Sequence, residues 1–452
     1  MSSPSVTRIR AQTLPTQNGG RTFLGHPPGL TFLFLTGMWE VAALFGMRTI
    51  LVFYLVTQRH YLASAALAIY GWSSALSFST SLVCAPIADR FLGLRRAVIL
   101  GAMALAAAHF MLIAPALLVP SLVLIAFAAG FFRPALVGQV WLLYSPTDPR
   151  RHRALVLYKL GCNLGGIIGP LICGTLYETS GWTMAVGFCG GGMLISLAIY
   201  FGARRFLPPD NPMTTTGYRL LRHDDSAATA ACSISLLRRT MLLFAAGLGG
   251  TLHWTAANQQ GGTMALWAYH SLNRTVHLGS GAFLIPAAWF QSLNPVLILV
   301  LTPLLTWHWA RERAGAFTET RKMALGSLLL AGAFGVLVAS LLVSKHAQVS
   351  WLWLLAAMVP VTLGELHLDP MGQAFFGRLA PKGMLSTSLS LWFLTQAAGY
   401  VLGGELGALW ERLPPETFFS ICAAIAIASA LVIAITGQFA TASDSQNSRV
   451  RS

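Results

Sequence analysis

The sequence predicts an all-α membrane protein: twelve transmembrane helices arranged as two six-helix bundles. Three observations predict it. The chain of 452 residues is 55% hydrophobic and only 10% charged, whereas soluble domains carry about 25% charged residues. Apolar runs of the roughly 20 residues that cross a bilayer recur along the chain in two sets of six. The basic residues collect in alternate connections between those runs.

The elements follow in order. Segment 1–29 is polar and bears Gly and Pro. It has no short apolar core ahead of a small-residue cleavage site, so no cleavable signal is expected. The first bundle, 30–203, has spans at 30–57, 61–88, 96–114, 117–143, 154–177 and 182–203. A basic linker, 204–239, with Pro-Pro and Asp-Asp pairs, is expected to be a cytoplasmic loop with a short surface helix around Tyr218–His223. The second bundle, 240–437, has spans at 240–270, 279–309, 321–344, 350–377, 383–410 and 416–437. The polar tail, 438–452, is expected to be disordered.

Charge fixes the orientation. With the N-terminus inside, the outer connections hold only Arg59, Arg274, Lys345 and Arg412. The inner ones hold clusters such as Arg90, Arg95, Arg96 and Arg150, Arg151, Arg153. Both termini are therefore expected in the cytoplasm of a multi-pass protein of the cell (inner) membrane. This placement also accounts for most of the net charge of +15 without a nucleic-acid partner. The one partner this placement implies is the bilayer, and the chain is expected to act as a monomer. The six cysteines show no CxxC spacing and read as small buried hydrophobes. No phosphate-binding Gly-rich loop, HExxH or GxSxG motif occurs, so neither an enzyme nor a cofactor is expected. Asn273-Arg274-Thr275 matches a glycosylation acceptor, and a chance match is the simpler reading.

Charges inside spans carry the functional signal, because each costs on the order of 3 kcal/mol near the bilayer centre. The first span, GMWEVAALFGMRTILVFYL at Gly37–Leu55, holds Glu40 and Arg48. Arg133, followed by Pro134, lies deep in the fourth span, where snorkelling is harder and a partner or substrate anion is the expected reading. Lys159 and Asn163 share a face of the fifth span, as Glu365 and Asp369 share one of the tenth; Lys159, about two turns from Arg153, either enters a pocket or snorkels back to the interface. Pro370 loosens the helix beside Asp369. Asn258 and Gln259 form a polar site in the seventh span, and Asn294 stands before Pro295 in the eighth. Those amides suit either interhelical bonding or a substrate. His109, His253 and His367 read as packing residues, since none has a metal-ligand spacing partner.

Six stretches in order resemble one family. TFLGHPPGL with FGMRTILVFYL, IADRFLGLRRAVILGA, the Arg133-Pro134 pair, LYKLGCNLGGIIGP, WFQSLNP and WLLAAMVPVTLGELHLDPMG are similar to segments of the proton-coupled oligopeptide transporters of the major facilitator superfamily. The resemblance covers nearly the whole chain. It implies the major facilitator fold and a pocket for di- or tripeptides. It implies that Arg48 and Arg133 hold the peptide carboxylate and Glu365 its amine, with Asn163 and Asn294 at the family's asparagine positions. Lys159 and Asp369 join this set as pocket residues, and the proton-coupling candidates are Glu40, Glu365 and Asp369.

The departures from the family are specific. Its ExxER coupling motif is reduced to Glu40, with Gly37 and Val41 at the other charged positions. Asn258 replaces the acid before Gln259, Lys159 a tyrosine, and Asp369 a serine. The linker lacks the two additional helices of many bacterial members. A buried Lys159 would need a partner, and pairing with Glu40 or Asp369 is expected. The pocket would then balance Arg48, Arg133 and Lys159 against Glu40, Glu365 and Asp369. The reading is a secondary transporter of peptides or peptide-like zwitterions with altered proton coupling. The rival is an exporter or facilitator of a modified amino acid or peptide-derived metabolite. A binding-only receptor would need a signalling domain, which the sequence does not show.

Overall fold

Pro28 opens α1 (Pro28–Phe53) at the first turn, where a missing N–H removes no helical bond. The computed structural model describes residues 25–145, 148–207, 236–278, 281–311, 319–344, 348–380 and 384–451. Most of segment 1–29 and of the linker, with the expected surface helix at Tyr218–His223, lies outside them. After α1 and a wider turn at Tyr54–Gln58 come α2 (Ala63–Ile87), α3 (Leu94–Met111), α4 (Leu118–Leu142) and α5 (Arg150–Gly202). A straight helix of the length of α5 would reach about 80 Å, far beyond the roughly 30 Å hydrocarbon core. It breaks at Gly181 (φ 79°, ψ −178°), between the spans expected at 154–177 and 182–203. That positive φ is open to glycine at little cost.

The second part contains α6 (Leu236–Ala257), α7 (Thr263–Ser271), α8 (Leu293–Ala310), α9 (Glu319–Ser344), α10 (Trp351–Arg378), α11 (Leu385–Gly407) and α12 (Pro415–Arg451). Among the described residues, nine helical stretches are long and apolar enough to cross a membrane. The helices α6, α7 and α11 are not among them: α7 is short, α6 begins with Arg238 and Arg239, and α11 carries a Ser-, Thr- and Gln-bearing run.

Three expected elements differ. The span at 240–270 is not continuous: a 3-10 turn at Asn258–Gln260 separates α6 from α7. The run at 279–309 begins as strand β3 (Gly281–Leu284), paired antiparallel with β2 (Thr275–Leu278), and becomes helical only from Ala287. A short parallel pair joins β1 (Leu272–Asn273) to β4 (Val349–Ser350). Apolarity alone did not distinguish these strands from helix, because a short apolar run serves either. The tail expected to be disordered instead continues α12 through Arg451.

The buried apolar residues separate largely by chain half. One cluster runs from Leu30 to Leu207 with only Ala265, Leu266, Ala287 and Ala288 added, and the other two lie between Leu242 and Ala440. In the first cluster glycine brings α1 and α5 into backbone contact, with Gly165 against the Met38 carbonyl and Gly169 against that of Ala42. Across the halves, Gly71 of α2 packs on the Tyr400 carbonyl and Gly404 of α11. Trp289 Nε1 donates to Leu171 O at 3.0 Å, Ser292 Oγ to Ile167 O at 3.0 Å, and Ala63 N to Glu411 Oε1 at 2.6 Å. Near the β2–β3 hairpin, Arg274 meets Glu178 of α5 at 3.4 Å.

Candidate functional site

A cavity of about 330 Å³ lies between the two parts of the chain. Its wall includes Arg48 from α1, Tyr70 from α2, Arg133 from α4, Asn163 from α5, His253 from α6, Asn294 from α8, Glu365 from α10 and Tyr400 from α11.

The cations are held differently. Arg133 donates to Glu40 Oε1 from Nε at 2.9 Å and from Nη2 at 2.8 Å. Glu40 is only 2% exposed, and Arg133 lines the cavity where Glu40 does not. Arg48 has no carboxylate partner among the described residues. Its Nη2 donates to Ser74 Oγ at 2.5 Å and to Tyr70 OH at 3.3 Å. Its guanidinium lies 5.1 Å from the Tyr70 ring centre and 6.0 Å from that of Tyr400, within reach of both ring quadrupoles. The Arg48 Nε is buried without a hydrogen bond.

Glu365 is the acid on the facing wall. Asn294 Nδ2 donates to its Oε2 at 3.0 Å, and no cation pairs with it among the described residues. Pro295 sits in the first turn of α8, so Asn294 stands at a helix start, with its amide on Glu365 of the neighbouring helix.

Lys159 corrects an expectation: it pairs with neither Glu40 nor Asp369. Arg133 takes the Glu40 oxygen. Asp369 accepts from Gln373 Nε2 and Trp392 Nε1, both at 2.9 Å. Lys159 is exposed on α5 and makes no ion pair among the described residues. Near the start of α5 at Arg150, its long side chain can reach back to the interface and needs no buried counter-ion. The balance of three cations against three acids therefore does not form around one cavity, since neither Lys159 nor Asp369 lines it.

The amides also divide. Asn258 and Asn163 line the cavity, although Asn163 Nδ2 turns back to the Lys159 carbonyl at 3.1 Å. Gln259 is committed elsewhere. Its Nε2 donates to Gly403 O at 2.8 Å and Thr255 O at 3.2 Å, and its Oε1 accepts from Thr263 at 2.9 Å. It closes the break between α6 and α7 and fastens α11 there.

Gly37, in the first helix one turn before Glu40, is filled from outside. A Cβ there would lie 2.7 Å from the Tyr158 ring. Tyr158 comes immediately before Lys159 in the signature segment. Its ring occupies the space beside α1 where a longer side chain would otherwise go.

Sequence reasoning did not single out Tyr70, Ser74, Gln396 and Tyr400. The signal was available: each pair is spaced by one helical turn, so each shares a face. Gln396 Nε2 donates to the Tyr400 hydroxyl at 3.0 Å.

Apolar membrane-length helices around a cavity with opposed charges define a multi-pass membrane transporter. The chain belongs to the POT family, whose model matches residues 76–222 and 226–420. A peptide transporter of Yersinia enterocolitica is 29% identical, covering 93% of this chain and 96% of that one. A di-/tripeptide transporter of Lactococcus lactis subsp. cremoris is 26% identical, covering 92% and 96%. The crystal structure of a peptide transporter POT mutant in complex with alafosfalin matches with a TM-score of 0.81 at 26% identity, over 93% of this chain and 96% of that one.

Proposed function

We propose that the chain carries di- or tripeptides, or peptide-like zwitterions, by alternating access between two six-helix bundles of a twelve-helix major facilitator fold, with both termini cytoplasmic. One observation carries the reading: Arg48 and Glu365 line the same cavity, and each lacks an oppositely charged protein partner among the described residues. A desolvated charge without a counter-ion is costly, and a zwitterion supplies both counter-ions at once. The substrate carboxylate meets Arg48, and its amine meets Glu365, held in place by Asn294. Arg133 becomes a second carboxylate ligand when Glu40 takes a proton and releases it. Asn163 and Asn258 offer amides to the peptide backbone. The names of the Yersinia and Lactococcus relatives support a peptide substrate.

Alternating access is supported by the Arg274–Glu178 pair and the Trp289 and Ser292 bonds, which join the two parts near the β2–β3 hairpin. Proton coupling is altered, because Gly37, Val41 and Asn258 carry no charge and Tyr158 fills the space beside Gly37. The same observation favours a second reading, export or facilitated passage of a modified amino acid or peptide-derived metabolite without a proton drive.

Reconstituted protein tests both. Counterflow of a labelled dipeptide should occur, and Arg48→Ala and Glu365→Ala should each abolish it. Absence of exchange with any di- or tripeptide overturns the first reading. Accumulation that an uncoupler leaves unaffected moves the assignment to the second.

A further inference from the structure

His253 lies on α6, is 1% exposed overall, and faces the cavity. Its Nδ1 is 3.1 Å from Ser327 Oγ, which is 2.9 Å from Ser429 Oγ, which donates to the Gly249 carbonyl at 2.7 Å. The direction of this chain is fixed from its far end. A carbonyl can only accept, so Ser429 spends its one hydrogen on Gly249. Ser327 must then donate to Ser429, and its own hydrogen is spent. Only Nδ1 is left to supply the hydrogen between His253 and Ser327. The neutral ring therefore carries its proton on Nδ1 and leaves a lone pair on Nε2.

That lone pair has no partner among the described residues, and Nε2 is not sealed in the core. His109 shows the contrast. Its Nδ1 bonds the Leu105 carbonyl, and its Nε2 is buried without a partner and without access. Protonating His253 at Nε2 adds a donor toward the cavity and leaves the serine chain as it stands.

We propose that His253 is a proton-binding residue of the transport cycle, taking one proton at Nε2 from cavity water and returning it there; this rests on the transport reading above. The groups that face it are few. On the cavity wall α10 presents Glu365 and α11 presents Tyr400, while the first half presents Arg48, Arg133, Tyr70 and Cys162. From α9 and α12 come the Ser327 and Ser429 hydroxyls, and the charged residues Glu319, Arg321, Lys322 and Glu416 stand near the ends of those helices. With Glu40 engaged by Arg133, Glu365 is the acid on the cavity wall that His253 shares. The residue would supply a titrating group on the same segment as Asn258, which has none.

The test uses full-length protein in proteoliposomes, with a labelled dipeptide as probe. Counterflow exchange needs no net proton movement, and accumulation under an inward proton gradient does. In His253→Gln, which can still donate to Ser327 but cannot titrate, exchange should persist at a measurable rate while gradient-driven accumulation falls to the equilibrium level. Ser327→Ala removes the acceptor that fixes Nδ1–H and should move the pH midpoint of uptake lower. Accumulation by His253→Gln equal to wild type overturns the proposal. Where that variant fails to fold, an unshifted midpoint in Ser327→Ala overturns it. Wild-type exchange with accumulation indifferent to the gradient also overturns it while sparing the transport reading; absence of wild-type exchange removes both.

Discussion

Arg133 spends two nitrogens, Nε and Nη2, on a single oxygen of Glu40, at 2.9 and 2.8 Å. The Arg133 side chain is 27% exposed and that of Glu40 2%, so the acid is the group that depends on the pair. Removing the cation leaves a buried charge, and Arg133→Met should cost about 2–4 kcal/mol. Glu40→Ala leaves a cavity-facing guanidinium that water can reach, and should cost less, about 1–2 kcal/mol. Thermal unfolding of the two single variants and of Glu40→Ala/Arg133→Met checks this. The double variant should recover most of the loss, and simple addition of the two losses would show that the pair is not coupled.

Gly37 is the second test of the first helix. Its missing side chain makes room for the Tyr158 ring, 2.7 Å from the position a Cβ would take. Gly37→Ala should destabilise by about 1–3 kcal/mol through overpacking, despite alanine's better helix propensity. Tyr158→Ala should relieve the clash, so Gly37→Ala should cost less in that background. Equal costs in both backgrounds, measured by thermal unfolding, would mean the ring is not what fills the site.

The charges of the candidate site were more legible than its neutral groups. Arg48, Arg133, Glu40 and Glu365 stood out because a charge inside an apolar run is costly enough to need a reason. What the sequence did not determine was partnership. Arg133 and Lys159 are both cations within spans, but only the packing of α4 beside α1 decides which one reaches Glu40. Tyr70, Ser74 and Tyr400 were passed over because hydroxyls cost less to bury and draw less notice, although their spacing marked a face. In the fold, the break at Gly181 fell between two expected spans, whereas the interruption at Asn258–Gln260 was hidden. There Gln259 bonds satisfy the break locally, and no proline announces it.

Unpartnered opposite charges predict how ligands are read. A free dipeptide should raise the melting temperature, its C-terminal amide should lose the Arg48 contact, and its N-acetyl form should lose the Glu365 contact. Each loss is a charge-assisted hydrogen bond of about 1.5–3 kcal/mol, or about 10- to 100-fold in affinity. In Arg48→Ala, while Arg133 remains held by Glu40, the free and amidated peptides should bind alike. A persisting preference for the free carboxylate in that variant would place the anchor elsewhere.

Asp369 is predicted to act through packing. Its two oxygens accept from Trp392 and Gln373, and it lies off the cavity wall. Asp369→Leu should destabilise by about 1–3 kcal/mol by leaving the buried Trp392 N–H without an acceptor. It should leave the peptide-induced rise in melting temperature intact. Loss of that rise at unchanged stability would return Asp369 to the binding site.

The last prediction concerns pH at the start of α1. His26 Nδ1 is 2.7 Å from the Tyr144 hydroxyl, and Arg150 Nη1 donates to the Gly25 carbonyl at 3.0 Å. Burial lowers the affinity of His26 for a proton below its ordinary 6.5, and the nearby Arg150 lowers it further, while Asp148 opposes them. The undocked segment has the ordinary value, so it binds the proton first as pH falls. Docking is therefore full above about 6.5 and weakens as the pH drops toward the lowered value. Hydrogen exchange at Gly25–Leu30, corrected for intrinsic rates, should show protection that falls on acidification. His26→Gln should remove that pH dependence, and Tyr144→Phe should lower protection by about 0.5–1.5 kcal/mol above pH 6.5. Protection that rises with acid would reverse the sign and exclude His26 as the titrating group.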